Sequence, residues 1–452
     1  MRNHSEELGR ESIVKLLIKF SIPALIGTLV NALYNVVDRI FIGNGVGSFG
    51  LAGLTIAFPL MMISMACSML IGIGTTSLIS LKLGEGKKDE AEKIMGNGVL
   101  GLVLLALLVS MISLTFLTPL LRLFGATEAI LPYAKDYMQI ILAGNVLMSI
   151  GFGMNNFIRA EGNPKIAMMT MLIGAITNII LDPIFIFVFG WGIQGAALAT
   201  IISQGISATW VLYYFLRGNS TLKIKKVNLR LEKEILNKIL SIGSAPFAMQ
   251  LAASLLNLIL NNSLRIYGGE TAIAGMGVVF SLMMLLMMPV LGISQGAQPI
   301  IGYNYGAKEF ARVKEALRIA IYVATAIATF GFIVTRLFPE QLVFFFSPDD
   351  QDLLGFGAKA IRTFLLMVPV IGFQMVGANY FQAIGKPKSA MLLTLSRQVL
   401  FLIPLLLILP SFYGLDGVLY AGPIADFFSF LLTLTLMLRE FKLLTHYVPA
   451  EA

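Results

Sequence analysis

Gly162-Asn163-Pro164-Lys165 returns 223 residues later as Gly385-Lys386-Pro387-Lys388, and Trp191-Gly192-Ile193-Gln194-Gly195 returns 222 residues later as Tyr413-Gly414-Leu415-Asp416-Gly417. Isolated landmarks keep the same spacing: Pro23 answers Pro246 and Gly84 answers Gly306, at offsets of 223 and 222. The chain is therefore one half written twice. Long apolar runs flank both copies, and six of them separate equivalent positions. Six is even, so both halves enter the membrane with the same orientation. Repeats of that kind are related by an axis along the membrane normal, with the transported molecule passing between them.

The composition agrees. Of 452 residues, 57% are hydrophobic and 13% charged, and the mean hydropathy is +0.83. A soluble protein is about 25% charged. Runs of about 20 apolar residues each reach across about 30 Å of hydrocarbon. They fall near 13–42, 50–81, 94–121, 129–158, 166–189, 193–216, 236–267, 272–303, 310–337, 355–382, 389–410 and 416–438. The expected fold is an all-α polytopic membrane protein, with about twelve transmembrane helices in two six-helix bundles related by a pseudo-two-fold along the membrane normal. The expected domains are residues 1–216, a linker at 217–234 and residues 235–452.

Alternate connections are basic. Lys82, Lys87, Lys88 and Lys93 fill one, and Arg217, Lys223, Lys225, Lys226 and Arg230 fill the central one. The intervening connections are neutral or acidic, as at Asp349, Asp350 and Asp352. Lysine and arginine stay on the cytoplasmic side, which places both termini and the linker there. The net charge of +8 thus sets orientation and does not point to nucleic acid. The first apolar run is too long for a signal-peptide core and reads as an uncleaved span. A lone Cys67 makes no internal disulfide and reads as packing.

Charges inside the runs are the informative exceptions, because a charged side chain in hydrocarbon is costly and commonly marks an ion or proton pathway. Asp38 sits in the first span and Asp182 in the fifth. Asn178 lies four residues before Asp182, on the same helix face. Pro183 lacks an N–H and is expected to bend the helix and free the Ile179 carbonyl. Thr200 of the sixth span can add a hydroxyl, giving the oxygen groups that hard cations favour. A polar knot that only ties spans together is the other reading. In the second half the positions of Asp38 and Asp182 fall on Asn261 and near Pro404, neither ionisable. Arg39 points away from Asp38 and snorkels to the outer interface. Arg397 and Asp426 read as an ion pair between adjacent helices.

Met61 and Met65 on the second span, and Met284 and Met288 on the eighth, recur at helical spacing and suit either a surface that accepts many ligands or plain packing. Gly45-Val46-Gly47-Ser48-Phe49-Gly50 matches a dinucleotide fingerprint but follows a membrane helix, not a strand, so it is set aside. The sequence has no phosphate-binding loop, and its histidines, His4 and His446, lie in the tails. Neither an enzyme nor a bound cofactor is expected.

In Ser21-Ile22-Pro23, Val37-Asp38, Gly84, Arg159-Ala160-Glu161-Gly162-Asn163-Pro164 and Asn178 through Pro183, the chain resembles the multidrug and toxic compound extrusion (MATE) transporters, in their bacterial MepA-like and DinF-like branches. The resemblance implies a secondary active antiporter of the bacterial or archaeal cell (inner) membrane. Such a protein exports amphipathic, often cationic, compounds in exchange for H+ or Na+. It also implies a cation-coupling site, for a proton or Na+, at Asp38, Asn178, Asp182 and Thr200, with Tyr34 and Tyr137 beside it. The substrate cavity is expected to include Tyr34, Tyr137, Met61, Met65, Met284 and Met288. The expected partners are small amphipathic molecules and the lipid bilayer, with no nucleic acid, and the expected state is a monomer. Ser254 stands where other members carry an acidic residue in the second bundle. The alternative within the superfamily is a flippase of lipid-linked oligosaccharides, whose cavity tends to be basic.

Overall fold

The computed structural model describes residues 4–345 and 351–447, so Asp349 and Asp350 lie outside the described residues. Eight helical stretches are long and apolar enough to cross a membrane, and two bent pairs bring the number to ten. Two of the eight are double. A straight helix of 74 residues such as Lys233–Gly306 would run about 110 Å at 1.5 Å per residue, far beyond a hydrocarbon core. It breaks at Gly269, as Ile403–Tyr447 breaks at Gly414.

Cut at those glycines, the described residues hold twelve spans. The first three are α1 (Ile13–Gly45), α2 (Ser48–Gly84) and α3 (Lys88–Thr115). Next come α4 (Leu131–Ala143 and Asn145–Ala160, bent by 57°), α5 (Pro164–Pro183 with a π-helical turn Ile184–Val188) and α6 (Gly192–Leu216). The second half starts with α7 (233–268), α8 (270–306) and α9 (Phe310–Leu337). It ends with α10 (Gln351–Phe364 and Val368–Ala383, bent by 50°), α11 (387–413, with a π-helical turn Ser396–Leu402) and α12 (415–447).

The repeat is written into the backbone. Left-handed residues close equivalent turns: Gly47 (φ 86°) and Gly269 (65°), Gly162 (99°) and Gly385 (73°), Gly192 (53°) and Gly414 (55°). A fourth pair is Gly86 (74°) and Lys308 (62°), where the second half places a side chain in a conformation that favours glycine. The chain turns back tightly at Gly414: a Cβ on Gly417 would lie 2.4 Å from the carbonyl oxygen of Leu409.

Contacts divide the chain into two compact units: Met1–Glu11 with Ile26–Phe247, and Ser12–Leu25 with Ala248–Ala452. The division cuts through α1 and α7. In the first unit the start of α7 packs backbone to backbone on α2, because Gly243 and Gly74 leave no side chain in the way of Leu70 and Ile239. In the second unit Gly296 of α8 does the same for Ser21 of α1.

Residues 217–234 are bonded into the first unit. Glu92 of α3 is buried, accepts the Lys223 N–H at 3.1 Å and pairs with Lys225 at 2.5 Å. Glu161, at the turn after α4, accepts the Ser220 hydroxyl at 2.6 Å, the Leu222 N–H at 3.2 Å and the Tyr214 hydroxyl. Asn97 accepts the Glu232 N–H at 2.7 Å. Burial pushes the Glu161 carboxyl up to about 6, against these hydrogen bonds, which pull it down.

Candidate functional site

A polar cluster forms inside the first unit where α1, α4, α5 and α6 meet. On α1, Tyr34 and Asp38 are one turn apart. Asn178 and Asp182 are one turn apart on α5, and the Asn178 amide donates to the Asp182 carboxylate at 3.3 Å. The same amide reaches the Thr200 hydroxyl of α6 at 3.4 Å, and Thr200 donates to the Ala196 carbonyl at 3.0 Å. The Tyr137 hydroxyl of α4 meets Thr200, and the carboxyl groups of Asp38 and Asp182 are in hydrogen-bonding contact with each other.

The cluster is dry. Asp38 is 6% exposed and Asp182 0%, and Asn178, Thr200 and Tyr137 are buried too. Tyr34 is half-buried. Apolar side chains including Ile42, Leu60, Leu142 and Ile193 pack with Tyr137 into one core. Among the described residues neither acid takes part in an ion pair, and no group of three or more His, Cys, Asp or Glu side chains could hold a metal ion. Arg39 instead lies over the Phe58 ring, 5.9 Å from its centroid. Three buried oxygens are left without a hydrogen bond: one on Asp38, one on Asp182 and the amide oxygen of Asn178. Unpaired buried oxygens are costly unless a hydrogen-bond donor or a cation reaches them.

Local sequence explains how the side chains arrive. Around Pro183 the chain does not simply kink. It continues as the π-helical turn Ile184–Val188, which begins two residues after Asp182. The bend in α4 is fixed by Asn145, whose amide donates to the Ala106 carbonyl at 3.1 Å and the Ser110 hydroxyl at 3.2 Å. Asn145 thereby ties α4 to α3 and sets the half-helix that carries Tyr137. Its signal in the sequence is a lone amide inside an apolar run.

The methionines fare differently. Met61 packs against the Tyr137 core and Met65 is half-buried on the same helix. On α8, Met284 is 59% exposed while Met288 is buried. The repeat register also needs correcting. The local offset between Gly47 and Gly269 is 222, which matches Asp38 with Leu260. Leu260 is buried and Asn261 is exposed, so the counterpart of the buried acid is the leucine. In the second unit, Arg397 of α11 pairs with Asp426 of α12 as read from the sequence, and the Gln374 amide donates to the Asp426 carbonyl at 2.7 Å.

The family model MatE matches residues 23–184 and again 246–408, once in each half. The multidrug export protein MepA of Staphylococcus haemolyticus (strain JCSC1435) is 29% identical over 420 residues, spanning 92% of this chain and 91% of that protein. A solved structure of the MATE multidrug transporter DinF-BH is 44% identical, with a TM-score of 0.89 over 97% of this chain and 98% of that one. A MOP superfamily transporter from Pyrococcus furiosus Vc1 is 27% identical, with a TM-score of 0.91 over 98% and 99%. The first two relatives are multidrug transporters and not enzymes. With the family model matched in both halves, the chain belongs to the MatE family of multidrug efflux transporters.

Proposed function

We propose that this transporter is an antiporter of the cell membrane, driven by entry of H+ or Na+ at the Asp38–Asp182 pair and exporting amphipathic cationic compounds. The observation that supports it is the pair itself: two buried carboxyl groups in contact, with no cationic partner among the described residues. Two negative charges this close in a dry site repel strongly, so the site holds at least one proton or one cation. A shared proton would let one carboxyl donate to the other. Na+ would draw on the unpaired oxygens of Asp38, Asn178 and Asp182 and the hydroxyl of Thr200, a hard oxygen set. Loading the ion changes the charge at the meeting point of four helices. Exchange follows when ion and exported compound favour different conformations, since a ligand shifts an equilibrium only by its differential affinity.

A flippase of lipid-linked oligosaccharides would call for unpaired basic groups in the spans, and Arg397 is neutralised by Asp426. Proteoliposomes under an imposed proton gradient alone, or a Na+ gradient alone, test the proposal. Efflux should respond to one of them, and Asp38→Asn and Asp182→Asn should each abolish the response while the protein stays folded. Near-normal gradient-driven efflux by either variant removes that residue from the mechanism.

A further inference from the structure

We infer that the exposed face of α9, from Arg318 through Tyr322 to Phe330, is a seat for one anionic phospholipid, with the phosphate on Arg318 and an acyl chain in the groove below it. The reading rests on placement in a membrane and not on ion coupling. All of its residues belong to the second unit. Ala316, Ala320, Ala324 and Ala328 recur every four residues on α9 and are buried. They let α10 close in, so that a Cβ on Gly372 would lie 2.7 Å from the carbonyl oxygen of Ala324. That packing fixes which face of α9 stays uncovered. Arg318, Tyr322, Ala326 and Phe330, also four apart, are exposed on it.

This face is graded along its length. A helix of 28 residues runs about 42 Å and the hydrocarbon takes about 30 Å of it, so Arg318 sits about one turn inside the edge. A cation there is costly unless it meets water or an anion. Arg318 makes no ion pair or hydrogen bond among the described residues, even with Glu315 on the same turn. Lys314, one turn nearer the helix end, donates to the Thr445 hydroxyl at 3.0 Å and adds a second positive charge. Tyr322 lies one turn deeper than Arg318, about 6 Å. It is 67% exposed, and its hydroxyl is unbonded among the described residues. A phospholipid carries its ester carbonyls a comparable distance below its phosphate. Deeper still, Tyr322, Val323, Ala326, Ile327 and Phe330 line an open groove of about 490 Å³, with the two rings flanking the small Ala326.

The first half supplies the contrast. The repeat offset of 222 carries Arg318, Tyr322, Ala326 and Phe330 onto Gly96, Leu100, Leu104 and Leu108 of α3. Gly96 lies against the Asn228 carbonyl of the linker, and Leu104 and Leu108 are exposed. Plain leucines cover that face, with no cation, phenol or small residue among them. The second half departs from the repeat in the three features that a phospholipid would use.

Bromine quenches tryptophan fluorescence on contact, so brominated lipids read occupancy. With Trp191 and Trp210 changed to Phe, Tyr322→Trp reports on the groove and Leu104→Trp on the matching face of the first half. In vesicles without any gradient, the Tyr322→Trp reporter should favour brominated phosphatidylglycerol over brominated phosphatidylcholine about fivefold, and the Leu104→Trp reporter less than about twofold. Arg318→Gln should bring the first preference below about twofold, and Ala326→Phe should weaken quenching by both lipids. Native mass spectrometry of the otherwise unchanged protein covers the case in which the tryptophan-free background does not fold. That protein should retain phosphatidylglycerol over phosphatidylcholine, and its Arg318→Gln variant should not. Equal affinity for the two lipids, or a preference that survives Arg318→Gln, would reduce the face to ordinary lipid contact and overturn the proposal. Quenching by neither lipid would mean that a second copy or the chain's own last residues cover the groove, and would overturn it as well. No arm uses an ion gradient or an exported compound, so the result stands apart from the fate of Asp38 and Asp182.

Discussion

The same two helices of each half carry opposite solutions to buried charge. Between α5 and α6, the first unit gathers acids, an amide and hydroxyls around Asp182, and no cation pairs with them among the described residues. Between α11 and α12, the second unit sets one arginine against one aspartate, with Gln374 bracing the Asp426 backbone and Ser396 bonded to Ser429 at 3.2 Å. Each half has a π-helical turn in its fifth helix, but it follows Asp182 in α5 and contains Arg397 in α11. A balanced pair satisfies itself and holds two helices together. An unbalanced pair is incomplete and takes its missing charge from outside. One fold, repeated, thus separates the structural use of buried charge from the use proposed for transport.

The largest expected effect comes from the unbalanced side. Asp182→Asn should reduce gradient-driven efflux by at least about a hundredfold with little loss of stability, because the amide keeps the shape and removes a repulsion. The balanced side should show the reverse. Asp426→Asn leaves the half-buried Arg397 beside a neutral group, and because breaking a fully buried pair costs about 3–5 kcal/mol the loss here should fall below that range. Thermal unfolding in detergent should fall accordingly, and the double change Arg397→Met with Asp426→Leu should recover most of the loss. Were Asp426→Asn instead to keep its stability and lose ion dependence, the contrast between the two units would fail.

What the sequence revealed follows the physics of rare events. Asp38, Asn178, Asp182 and Thr200 were legible because polar groups in apolar runs stand out and helical spacing says which share a face. Twelve spans and their repeat were legible for the same reason, since length and turn residues are local. The rest depends on packing. A one-residue change of offset between Pro23/Pro246 and Gly47/Gly269 moves the buried counterpart of Asp38 from Asn261 to Leu260, and only burial decides between them. The hold of Glu92 and Glu161 on residues 220–225 joins positions far apart in the chain, which no local pattern announces.

Glu161 gives a second way to sharpen the comparison. Its counterpart in the second unit is not a carboxylate, and there Glu440 pairs with Lys386 at 2.7 Å instead. Buried and in no ion pair among the described residues, Glu161 has its carboxyl raised by burial to about 6 from an ordinary 4.5. The folded state therefore binds the proton more tightly than the unfolded chain, and stability rises as pH falls from 7 through 6 towards 4.5. The full effect is about 2 kcal/mol. Glu161→Gln should flatten this part of the profile when melting temperatures at pH 7.5 and 5.0 are compared.

The smallest expected effect sits at the turn where the halves differ in one residue. Gly86 and Lys308 occupy equivalent left-handed positions, but only the lysine has a Cβ to crowd its own backbone. Lys308 is exposed, so its side chain gives back little packing for that strain. Lys308→Gly should remove the clash at the cost of a more flexible unfolded chain, for a net gain of about 0.5–1 kcal/mol. The reciprocal Gly86→Lys should lose a similar amount, since a Cβ on Gly86 meets nothing within 4 Å and the penalty is conformational alone. Equal and opposite shifts in melting temperature would show that the two turns are the same structure differing only in that residue. A loss from Lys308→Gly would mean that the lysine makes a contact there that the first half lacks.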